Sequence, residues 1–125
     1  MTGWHISVYR QKNNGRSPAT AESEKGARAA VWQADFLGLQ WIDELVKAGK
    51  AIDLLGNGYP NRYTATAENL IPQINAVPPH ARSVWHREEG DIVTDKWDGL
   101  TVIDSHTIRE CRPDEWLLVV AWDES

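Results

Sequence analysis

The sequence predicts a single α+β domain over residues 1–125. The expected core is a mainly antiparallel sheet of about six strands with two to three helices, and residues 116–122 form its central strand. Three observations carry that expectation. The 125 residues are 42% hydrophobic and 25% charged, proportions that suit one globular domain. Short runs rich in β-branched and aromatic residues recur between Gly, Asn and Pro turn signals. Two longer stretches carry apolar residues at helical spacing.

In chain order, residues 4–10 set Trp4, Ile6 and Val8 against His5, Ser7 and Tyr9, a period of two that predicts a strand. Residues 11–17 are polar around Gly15 and read as a loop. Ser17-Pro18 or Thr20 offers a helix start, with Glu22 and Glu24 in its first turn and Ala27, Ala30, Val31 and Ala34 following at helical spacing. A second helix is expected from the stripe Trp41, Ile42, Leu45 and Val46, with Gly49 as its stop. Residues 51–55 and 62–65 read as strands about a Gly56-Asn57-Gly58 turn. Glu68 or Asn69 is expected to cap a short helix through Ile74, which leaves Pro72 in the first turn, where its missing N–H costs nothing. Val77-Pro78-Pro79 interrupts regular structure.

From Ser83 onward the pattern predicts antiparallel sheet: strands at 84–87, 92–93 and 100–103, with turns at 88–91 and 98–99. Asp104-Ser105 caps a turn of helix running to Cys111, and Pro113 ends it. Residues 116–122 are apolar almost without break, the pattern of a strand covered on both faces.

Composition excludes several classes of function. No apolar run approaches the ~18 residues of a membrane span, and the first residues lack the basic and apolar regions of a signal peptide. Cys111 is the only cysteine, so neither an internal disulfide nor a cysteine zinc site is available, and a cytoplasmic location is expected. Residues 1–62 hold eight Lys/Arg against six Asp/Glu, whereas residues 63–125 hold five against twelve, within a net charge of −5. Such a chain is poorly suited to a phosphate backbone and better suited to a basic protein partner. No cofactor or metal is expected. His86 and Glu88 share a strand face, but no further ligand completes a metal motif with them.

Two candidate sites remain. The first is acidic: Glu88, Glu89, Asp91, Asp95 and Asp98 crowd eleven residues, with Trp97 among them. Carboxylates steer a basic partner and an aromatic anchor supplies buried area. These are the two ingredients of a protein that occludes a basic, nucleic-acid-binding or nuclease-type surface, as toxin-immunity proteins and phage-encoded anti-defence inhibitors do. The second is a ligand pocket built on residues 56–66, with Arg10, Tyr59, Arg62, Tyr63 and Thr64. Glycines admit a close backbone approach, tyrosines stack, and arginine binds anions bidentately. An enzyme of ADP-ribosyl-transfer type would place Arg10, a Thr64/Thr66 strand and Glu110 in its roles. No residue is expected to act as a catalytic nucleophile. Cys111 lies between Glu110 and Arg112, and an acidic neighbour disfavours a thiolate.

Overall fold

A computed structural model describes residues 3–34, 37–55, 60–74, 85–87 and 101–123. It is an α+β domain in which one sheet carries three helices. In chain order the elements are β1 (Trp4–Gln11), β2 (Lys25–Ala34), α1 (Gln40–Lys47), β3 (Ala51–Asp53), β4 (Asn61–Thr66), α2 (Ala67–Ile74), β5 (Trp85–Arg87), β6 (Val102–Asp104), α3 (Ser105–Glu110) and β7 (Trp116–Asp123). Two strands followed by a helix recur three times before β7 closes the chain. The strand order is β3-β4-β7-β1-β2-β6-β5. Every pairing is antiparallel except β5 with β6, which is parallel.

Strand β7 lies inside the sheet, between β4 and β1. Its unbroken apolar run follows from burial on both faces. Leu117, Val119 and Ala121 join the larger core with Ile6, Val8 and Trp32, while Leu118 and Val120 pack on Ala19 on the other side. Helices α1 and α2 cover the larger core through Trp41, Ile42 and Leu45, and through Leu70 and Ile74. Helix α1 ends as its glycine signals. Gly49 takes φ +75°, its N–H bonds Val46 O, and Lys50 N bonds Leu45 O, so two terminal carbonyls are satisfied.

Three expectations are corrected. The helix anticipated after Thr20 is strand β2, paired with β1 from Trp4↔Ala34 to Gln11↔Lys25. Alanine spacing misleads here because Ala29, Ala30, Val31 and Trp32 are all buried, so this half of the strand shows no polar face. The capping chemistry at Thr20 serves a turn instead: Ser23 N bonds Thr20 O, and Thr20 N bonds Ser23 Oγ. Helix α2 begins at Ala67, which moves Pro72 past the first turn and leaves the Glu68 carbonyl without its helical donor. The segment after Ser83 is not wholly antiparallel, since β5 runs parallel to β6 at the sheet edge. The turns expected at 56–58, 88–91 and 98–99, the break at 77–79 and the strand at 92–93 lie outside the described residues. No helix among the described residues is long and apolar enough to cross a membrane.

Candidate functional site

Charged groups converge where β1 ends and β7 begins. Antiparallel pairing sets Arg10 opposite Leu117, two residues beyond Glu115. Glu115 is 1% exposed. Arg10 donates through Nε to Glu115 Oε2 at 2.8 Å and through Nη2 to Oε1 at 3.0 Å, a bidentate fork. Backbone N–H of Arg112 adds a longer bond to Oε1 at 3.4 Å. Beyond this fork, Arg10 Nη1 stands 4.0 Å from Glu110 Oε2, and His106 Nε2 is 2.7 Å from Glu110 Oε1. The 12–17 loop packs over the pair. Gly15 has φ +67°, its carbonyl accepts from Trp116 N, and a Cβ there would stand 2.6 Å from Glu115 Cγ.

The electrostatics follow from this geometry. Burial disfavours the Glu115 carboxylate, but the hydrogen bond and charge of Arg10 outweigh it, and its pKa falls below the usual value. The same hydrogen bond raises the pKa of Arg10. Cys111 donates to Thr107 O at 3.4 Å. Its thiol is pushed up to about 11, by burial first and by Glu115 second, with Arg10 only partly opposing. A thiol held protonated is a poor nucleophile, and a guanidinium already forked onto a carboxylate is a poor receptor for a second anion.

Among the described residues, those expected around a 56–66 pocket fall on both faces of the sheet, Arg10 and Tyr63 on one and Arg62 and Thr64 on the other. Arg10 and Glu110 approach each other as described. Thr64 lies one strand away from Arg10, across β7 and on the opposite face of the sheet, fully buried, donating to Leu117 O at 2.7 Å and accepting from Ala19 N at 3.0 Å, so its hydroxyl is occupied. Tyr63, its neighbour on β4, faces the opposite side and is buried in the larger core. Burial, then Asp43 and Asp53, push the Tyr63 hydroxyl up to about 12. Arg62 donates to Ala21 O at 3.0 Å and clamps the 20–23 turn. Tyr59 lies outside the described residues.

Glu88, Glu89, Asp91, Asp95, Trp97 and Asp98 also lie outside the described residues. In the chain they follow directly on β5, the edge strand, and precede β6. Sequence reasoning missed the Arg10–Glu115 fork, because its partners are 105 residues apart and no local pattern links them. It also missed a groove of about 450 Å³ lined by Trp4, Leu37, Leu39, Gln40, Asp43, Glu44 and Lys47. The signal for that groove is the polar row Gln40, Asp43, Glu44 and Lys47 at helical spacing, next to an apolar Leu37. No group of three or more metal-ligating side chains occurs among the described residues. Comparison with protein-family models, curated proteins and solved structures yields no match for this chain.

Proposed function

We propose that this chain is a cytoplasmic binding protein that occludes a basic surface on another protein, of nucleic-acid-binding or nuclease type. The observation that carries the reading is the segment from Glu88 to Asp98, where five carboxylates meet the single cation Lys96 around Trp97, in a chain of net charge −5. Carboxylates at that density accelerate encounter with a cationic surface, and a tryptophan holds the complex once formed. The chemistry of the described residues supports binding over catalysis. Arg10 is engaged by Glu115, the Thr64 hydroxyl bridges two backbone groups, and the Cys111 thiol is held protonated.

The test is recovery of the protein from its native host with whatever it retains, then kinetics on the recovered partner. A stoichiometric basic protein is expected. The double charge reversal Glu89→Lys and Asp91→Lys should slow association, with a deficit that fades as salt rises. Trp97→Ala should instead speed dissociation while the melting temperature holds. Wild-type kinetics in the charge-reversed protein, or a retained nucleotide in place of a protein, overturns the reading.

A further inference from the structure

The groove beside α1 joins an apolar wall to a net negative charge. Trp4, at the start of β1, packs against the core and is half-buried. Leu37 is 45% exposed, and Leu39 closes the floor. Across from them stands the outer row of α1, with Asp43 and Glu44 exposed. Neither carboxylate forms an ion pair among the described residues. Lys47, four residues beyond Asp43, returns one positive charge. Burial, and then the negative charge of Asp53, raise the pKa of Asp43, with Lys47 only partly opposing, so a further cation beside it would favour its carboxylate.

These features select one kind of occupant. An apolar peptide would desolvate Asp43 and Glu44 without compensation. An anionic one would meet two carboxylates against one ammonium. Lysine would satisfy the charge but offers no planar face to Trp4. Arginine meets both demands, since its stem lies along apolar surface while its guanidinium stacks on aromatic rings and forks onto carboxylates. At about 450 Å³ the groove exceeds one side chain and falls within the ~300–1,000 Å³ of ordinary binding sites, leaving room for apolar neighbours of that arginine.

We propose that this groove receives an arginine side chain of the basic partner protein, with its stem along Leu37 and its guanidinium between the Trp4 ring and the carboxylates of Asp43 and Glu44. The partner class is that of the reading above, on which this assignment rests; the groove adds a second place of contact and a residue type.

The experiment is a titration of the isotopically labelled full chain with a peptide of alternating leucine and arginine, followed by nuclear magnetic resonance. A leucine–glutamate peptide serves as the control. Saturable shifts are expected at the Trp4 indole and at the amides of α1, with the arginine peptide alone. The double variant Asp43→Asn and Glu44→Gln should weaken binding about tenfold, the combined effect of two exposed ion pairs, with an unchanged melting temperature. Leu37→Ser should weaken it through the apolar wall. Absence of saturable shifts at millimolar peptide, equal affinity for the glutamate peptide, or full affinity in the double variant overturns the assignment. The two readings separate cleanly. Shifts confined to the amides from Glu88 to Asp98 remove the groove and keep the acidic segment, while Glu89→Lys with Asp91→Lys should leave peptide affinity at the groove unchanged.

Discussion

Replacing Glu115 by glutamine tests whether the buried fork with Arg10 holds the end of the sheet together. The substitution keeps shape and removes charge. Glutamine can accept one of the two Arg10 hydrogen bonds at Oε1, but it turns an NH2 donor toward the other guanidinium donor. Hydrogen bonds to a charged group contribute ~1.5–3 kcal/mol each, and breaking a fully buried pair costs ~3–5 kcal/mol. The Arg10 side chain keeps 27% of its surface accessible, so water recovers part of the loss and the lower end applies, about 3 kcal/mol. With an unfolding entropy of ~2.1 cal/mol/K per residue, a chain of 125 residues loses about 11 °C of melting temperature. The pH dependence gives an independent check. Because the folded pKa of Glu115 is depressed, its contribution is fully present above the unfolded carboxyl value, 4.5, and is lost as pH falls through the folded value. The gap between wild type and Glu115→Gln, measured by scanning calorimetry, should therefore be constant near neutrality and close only in acid. A neutral-pH gap under 2 °C, or one that widens in acid, refutes the reasoning.

Three further outcomes follow from the same structure. Gly15→Ala should lower stability by about 1–3 kcal/mol, since the residue must hold φ +67° with its new Cβ against Glu115 Cγ, and denaturant melts read this directly. Alkylation of Cys111 in the native protein should stay slow at pH 8 and rise only toward pH 11, and Cys111→Ser should leave binding intact; rapid labelling at neutral pH would reveal a thiolate that the geometry does not support. Amides of β7 should be among the slowest to exchange with deuterium, and Leu118→Asp should abolish the cooperative melt by placing an unpaired charge in the smaller core, whereas fast exchange across β7 would contradict its interior position.

How much of the fold was legible depended on whether a segment's side chains carry a period. Strand β1 alternates Trp4, Ile6 and Val8 with His5, Ser7 and Tyr9 although Ser7 is buried as well, and helix α1 shows both its buried stripe and its glycine stop, so each declares its period in the sequence. Strand β7 declares itself differently, by an apolar run too short for a buried helix. Strand β2 gives neither signal. Its buried half is mostly alanine, which packs in either geometry, and its true partner β1 lies across a 13-residue connection. The parallel edge pairing of β5 with β6 was illegible for a related reason, since strand direction at a sheet edge is a property of topology.

The candidate sites divide along the same line between local and long-range information. Asp104 capping α3 through Thr107 N is a three-residue relation and was readable as such. Arg10, by contrast, was singled out as a candidate anion receptor, and nothing near it in the chain reveals that Glu115 meets it first. Pairing of β1 with β7 brings those two residues together, and the fork converts an apparent ligand-binding arginine into a tie between the first and last strands. Thr64 changes role for the same reason: its hydroxyl bridges Ala19 N and Leu117 O, groups contributed by a loop and a strand distant from it in sequence. Long-range pairing thus engages the polar groups that a local reading would assign to a ligand. On the proposed reading, the acidic rows at Asp43 and Glu44, and in the sequence at Glu88 to Asp98, face the partner. Both rows carry the same sign and each has a tryptophan beside it, so a surface able to satisfy both must present cations at two places.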